Sequence, residues 1–101
     1  MNKEITAKEM FEKLGYKQEI DTFNKGIHYH LVQIVSGDEC HYGITFNKEN
    51  KSYHTYAYGW WKNGVNFDSN LSIDSKLHQA INQQVKELGW LDERWYKRNI
   101  R

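Results

Sequence analysis

His28 and His30 stand two residues apart in the stretch Gly26-Ile27-His28-Tyr29-His30-Leu31-Val32. Residues two apart on a strand point to the same side, so the pair could offer two imidazoles to a metal, with His41 or His54 from a neighbouring strand as a third ligand. Against that reading, histidine is common on half-exposed sheet faces, and neither a carboxylate nor a second cysteine stands at ligand spacing. Cys40 lies inside an alternating strand pattern rather than at a helix N-terminus, where a thiolate would be stabilised, so it reads as a core thiol and not a nucleophile paired with histidine. The chain has no glycine-rich phosphate loop, no G-x-S-x-G elbow and no H-E-x-x-H helix. The acidic pairs Asp38-Glu39 and Asp92-Glu93 fall in turns or caps, where acids have structural reasons to be. The expectation is a non-catalytic protein with no metal and no cofactor.

Aromatic residues carry more information. Tyr53, Tyr56, Tyr58, Trp60 and Trp61 crowd one segment. Adjacent tryptophans on a regular strand face opposite sides, so if helices cover one face of the sheet, one of Trp60 and Trp61 lies on the other. An exposed aromatic platform stacks single-stranded nucleic acid or docks a protein. The competing reading is that large aromatics fill a small core and that the tail or a second subunit covers the rest. All three arginines sit at the end of the chain, Arg94, Arg98 and Arg101, with Trp95 among them. If that segment is helical, spacings of four and three put them on one face, suited to bidentate contact with phosphate or carboxylate. A solvated C-terminal face explains the same pattern. The candidate binding surface is therefore Tyr56, Tyr58, Trp60, Trp61, Arg94, Trp95, Arg98 and Arg101.

The elements that must position these residues begin with a phrase written twice. Glu9-Met-Phe-Glu-Lys-Leu-Gly-Tyr16 and Gln84-Val-Lys-Glu-Leu-Gly-Trp90 both end in Leu-Gly-aromatic. Glycine adopts the left-handed conformation that closes a helix, and the residue after it folds back on the last turn. Thr6 and Glu9 form a capping box, with Ile5 and Met10 placed as a staple, so a first helix covers about residues 7–14. Ile73, Leu77, Ile81, Val85 and Leu88 form the apolar stripe of a second helix, starting near Ser72 or Asp74.

Between the helices the pattern predicts strands at Ile20–Phe23, Ile27–Val35, Cys40–Phe46, Tyr53–Trp61 and Val65–Phe67. In the third of these, Cys40, Tyr42, Ile44 and Phe46 share one face. Asn24-Lys25-Gly26, Ser36–Glu39, Asn47–Lys51 with Asn50 left-handed, and Asn63-Gly64 are the turns. Short connections make sequence neighbours pair antiparallel. The expected fold is α+β: an antiparallel meander of four to five strands packed against an N-terminal and a C-terminal helix as a two-layer sandwich. Residues 1–101 form one domain, with 91–101 a short basic aromatic tail or third helix capped by Asp92.

Bulk properties narrow the function. A net charge of +1 supplies no field to drive the chain onto DNA or an acidic membrane. A single cysteine rules out an internal disulfide and a cysteine-based zinc site. No segment is long and apolar enough to cross a bilayer, and Met1–Thr6 shows no secretory signal, so the expected location is the cytoplasm. Eleven lysines against three arginines, with no proline and many Asn, Ile and Tyr, fit an AT-rich coding sequence.

Three segments together carry a resemblance: Thr6-Ala-Lys-Glu-Met-Phe-Glu-Lys-Leu-Gly-Tyr16, Tyr42-Gly-Ile-Thr-Phe-Asn-Lys48 and Ala80-Ile-Asn-Gln-Gln-Val-Lys-Glu-Leu-Gly-Trp90. The chain resembles a group of small uncharacterised proteins encoded by phages and prophages of low-GC Gram-positive bacteria. The resemblance implies a phage accessory protein working inside a bacterial cell by binding host or phage machinery, and it transfers no functional residue. The resulting expectation is a non-catalytic protein–protein binder, with an unidentified host or phage protein or a second copy of itself as partner. The alternative is a single-stranded nucleic-acid binder that uses the sheet aromatics and the arginine-rich tail. Near-neutral charge favours the first.

Overall fold

The computed structural model describes residues 5–21 and 26–90. It is an α+β fold with the element order α1 (Ala7–Lys13), β1 (Lys17–Asp21), β2 (Gly26–Val35), β3 (Asp38–Asn47), β4 (Ser52–Trp60), β5 (Asn66–Ser69) and α2 (Ser75–Glu87). The five strands form one antiparallel sheet in the order β1-β2-β3-β4-β5, a plain meander.

Both helix ends close as the repeated phrase predicts. Gly15 N–H donates to the Glu12 carbonyl and Tyr16 N–H to the Phe11 carbonyl, each at 3.0 Å, with Gly15 at φ +97°. Gly89 and Trp90 repeat the pattern on Lys86 and Val85, with Gly89 at φ +74°. These are paired Schellman closures, and they consume carbonyls that the helix itself leaves open. At the start of α1, Glu9 N–H donates to Thr6 Oγ1 at 3.2 Å. At the start of α2, Leu77 N–H donates to Asp74 Oδ1 at 2.8 Å, which settles Asp74 rather than Ser72 as the cap. Glu87, in the last turn of α2, accepts the Ala7 N–H of α1 at 2.7 Å and so joins the two helices.

The helices cover one face of the sheet. Phe11 of α1 stacks on Tyr29 of β2 with ring centroids 3.8 Å apart, and Ile44, Phe46, Leu77, Ala80 and Ile81 complete the buried cluster. Trp90 folds back so that its ring reaches Phe46, with centroids 6.2 Å apart. One polar side chain is buried among these. Gln84 accepts the Tyr29 hydroxyl, which in turn accepts from Gln18 Nε2 at 3.1 Å. Burial pushes the Tyr29 phenol up to about 12, with Glu87 and Glu12 adding to the effect against the Gln18 hydrogen bond.

Several boundaries differ from expectation. The first strand begins at Lys17, three residues before the expected Ile20, and runs to Asp21. It starts as soon as the Schellman turn releases the chain, and pairing with β2 overrides the weak strand propensity of Lys17, Gln18 and Glu19. Thr22, Phe23 and the expected turn at Asn24-Lys25 lie outside the described residues. The last strand is Asn66–Ser69, because Trp61 and Val65 close a three-residue loop with Gly64 left-handed. In the β3–β4 turn Lys51, not Asn50, takes positive φ, while Asn47 Oδ1 accepts from Glu49 N–H and Asn50 N–H. Ile73 is exposed instead of joining the α2 stripe, since it precedes the cap. Cys40 is only half-buried and stands outside the buried core cluster, so it is not the core thiol expected.

Candidate functional site

The sheet has a second face that no described helix covers. Cross-strand register puts Lys17 and Glu19 of β1, His28, His30, Val32 and Ile34 of β2, Glu39, His41, Gly43 and Thr45 of β3, His54, Tyr56, Tyr58 and Trp60 of β4, and Asp68 of β5 on it. Strict alternation does this: each strand sends one set of residues to the helices and the other set here.

Its centre is a row of nearly parallel rings. His28 and His30 lie 5.8 Å apart at 18°, His30 and His41 5.1 Å apart at 16°, and His41 and Tyr58 5.0 Å apart at 1°. Trp60 meets both His41 and Tyr58 edge-on. Tyr56 lies across β3 and reaches β2, where its hydroxyl and His28 Nε2 share a 2.6 Å hydrogen bond. That reach depends on Gly43, the cross-strand partner of Tyr56: a side chain there would overlap the Tyr56 ring. Burial raises the Tyr56 phenol to about 12, helped by Tyr58 and Glu19, so it is held as a neutral hydroxyl.

The histidines are linked by more than stacking. His30 Nε2 and His41 Nδ1 share a hydrogen bond at 3.0 Å, and His41 Nε2 lies 3.2 Å from a Glu39 carboxylate oxygen. Glu19 sits 3.6 Å from His28 Nδ1 and 3.9 Å from His30 Nδ1. The His30–His41 hydrogen bond needs one bare nitrogen, so the two rings cannot both be imidazolium while it lasts. Burial lowers the pKa of His30; Glu19 opposes the effect, and His41 and His28 add to it.

The expected pairing of His28 and His30 on one face is present, with His41 beside them. The rings stack in a row rather than converge, and no group of three or more His, Cys, Asp or Glu able to hold a metal occurs among the described residues. His54 is on the same face one step beyond the row, opposite Thr45. Cys40 pairs with Gln33 and Gly59 and faces the helix side, away from every histidine in the row.

Of the candidate surface, Tyr56, Tyr58 and Trp60 come together on this face, with Tyr58 38% exposed. Trp61 does not join them. It follows the end of β4, remains 47% exposed, and stacks on Phe67 with centroids 4.3 Å apart. Arg94, Trp95, Arg98 and Arg101 lie outside the described residues, as does the expected cap at Asp92. Sequence reasoning missed Glu19, Glu39 and Gly43 as parts of the site. Glu19 comes from β1 and meets His28 and His30 only through strand register, whereas Glu39 stands two residues before His41 on β3, a same-face spacing the sequence already carried.

Comparison with protein-family models, with curated proteins and with solved structures finds no match.

Proposed function

We propose that this chain is a small non-catalytic binding protein that docks a protein partner on the open face of its sheet. The observation that carries the reading is the composition of that face: a surface that no described helix covers, of stacked His and Tyr rings with Trp60 edge-on to them, rimmed by Glu19, Glu39 and Asp68 against Lys17 as the one lysine or arginine among its described residues. Tyrosine and tryptophan are the side chains that dominate protein interfaces. A nucleic-acid platform needs the same aromatics together with cations for the phosphates, and here acids surround the rings. The phage or prophage origin implied by the resemblance belongs to this proposal: the partner is then a host or phage protein inside a bacterial cell. No described helix is long and apolar enough to cross a membrane, which is compatible with that setting.

The test combines affinity capture from lysogenic or infected host cells, with and without nuclease, and fluorescence anisotropy with labelled single-stranded DNA and RNA. The proposal expects a protein captured regardless of nuclease and no oligonucleotide binding at physiological salt. Micromolar, salt-sensitive oligonucleotide binding overturns it in favour of the nucleic-acid reading.

A further inference from the structure

The two edges of the sheet differ in how they are protected. At one edge β5 is four residues long and polar, Asn66-Phe67-Asp68-Ser69, with an acid in its middle. At the other, β1 pairs with β2 only as far as His30. Beyond it, Leu31-Val32-Gln33-Ile34-Val35 is bonded to β3 on one side, and no described strand pairs with the other. This segment has no charge, no proline and high strand propensity, and Val32, Ile34 and Val35 are 42%, 69% and 62% exposed. Natural sheets usually blunt such an edge with a charge, a proline or a bulge, and none of these is present.

The backbone shows what the edge offers. Ser36 and Gly37 form a two-residue turn with both φ values positive, and Val35 faces Asp38. In such a hairpin the closing pair is the hydrogen-bonded one, so Val35 and Gln33 turn their N–H and C=O toward β3. Val32 and Ile34 therefore turn theirs outward, and their side chains point to the open face.

We infer that Val32–Val35 pairs antiparallel with the same segment of a second copy of this chain, forming a weak homodimer in which the sheet continues across a two-fold axis. A second copy is the occupant that fits because the segment complements itself. Antiparallel pairing about a two-fold brings an uncharged strand against an uncharged strand, with apolar Val32 and Ile34 side by side on one face and no like charges opposed. On the helix side a shallow groove of about 280 Å³, lined by Tyr16, Leu31, Gln33, Tyr42 and Leu71 among others, runs up to this edge and receives side chains of the added strand. One short strand pair covers less than the roughly 800 Å² per partner of a standard stable interface, so the dimer dissociates in the micromolar range rather than the nanomolar. This edge borders the face assigned to the protein partner, since Val32 and Ile34 lie beside His41 and Glu39 there, but it offers backbone groups rather than the ring row.

Sedimentation velocity over a concentration series tests it on the full chain. Wild type is expected to move from monomer to dimer as concentration rises. Ile34→Lys places like charges across the pair and should weaken the dimer by about tenfold or more. Ile34→Pro removes an outward N–H that β3 does not use, so the fold should survive, by circular dichroism, while the dimer is lost. Tyr58→Ser, on the open face away from the edge, should leave the dimer intact. A wild type that stays monomeric throughout, or a dimer unchanged by both Ile34 variants, overturns the inference. Tyr58→Ser, which removes an aromatic of the partner face, is expected to lose partner capture while keeping the dimer, which separates this result from the proposed function.

Discussion

The helix-covered face and the open face of this sheet are made by alternate residues of the same strands, yet they solve opposite problems. On the covered side Phe11, Tyr29, Ile44 and Phe46 are fully buried, and the one polar chain among them, Tyr29–Gln84 with Gln18, has its donors and acceptors paired. On the open side the rings stack in a row, and their hydrogen bonds run between titratable groups. The covered face supplies the buried apolar core, while the open face carries polar aromatics held in a row, the face to which the proposed function assigns a partner.

The sharpest way to break this contrast is to truncate a ring on each side. Phe11→Ala should cost about 3–5 kcal/mol, as removal of a fully buried ring does. Tyr58→Ala should cost under about 1 kcal/mol, since that ring is more than a third exposed. Urea denaturation checks both, and equal losses would mean that the open face is a second core. Next in size is Tyr29→Phe, which leaves the buried Gln84 carbonyl without its donor and should cost roughly 1–3 kcal/mol.

The two helix ends allow a finer comparison. Gly15→Val and Gly89→Val should each cost about 1 kcal/mol or more, because a β-branched residue fits the left-handed position poorly. Gly15 should be the more sensitive: an added Cβ there meets Leu31 Cδ1 at 3.3 Å, whereas at Gly89 it meets nothing within 4 Å. Equal denaturation midpoints for both variants and wild type would remove the Schellman closures from the account.

The smallest effects are those of pH. His30 titrates below its ordinary 6.5, so its contribution to stability is present above that value and is lost as pH falls through the lowered folded pKa. Tyr29 and Tyr56 titrate at about 12 against an ordinary 10.0, so their contribution is present below 10.0 and is lost as pH rises through about 12. His30→Gln should flatten the acid limb of a stability–pH profile and leave the alkaline limb alone. An unchanged acid limb would mean that the His30–His41 bond does not govern it.

The alternation of Cys40, Tyr42, Ile44 and Phe46 and the repeated Leu-Gly-aromatic ends made the α+β meander readable from residue types, because both signals are local. β1 was misplaced because Lys17, Gln18 and Glu19 have little strand preference of their own and become a strand only by pairing with β2. Gln84 lies outside the apolar stripe read for α2, and it is a long-range hydrogen bond to Tyr29 that accompanies its burial. The His-x-His pair and the tyrosine-rich strand were visible as types. Their junction with Glu19, and the place of Gly43 under Tyr56, was not, since register between strands is set by turns and by the whole sheet; Glu39 beside His41 is a same-strand spacing that the sequence did show.

The most direct test of the central claim uses one variant with two readouts. Tyr58→Ser combined with Trp60→Ser removes the two aromatics at the edge of the ring row without touching the helix-covered core. Its denaturation midpoint and its capture of protein from host lysate are measured beside wild type, both after nuclease. The account predicts a midpoint close to wild type and loss of the captured protein. A variant that still captures the same protein at the same level, or that loses capture only because it has unfolded, would contradict the assignment of the open face as the binding surface.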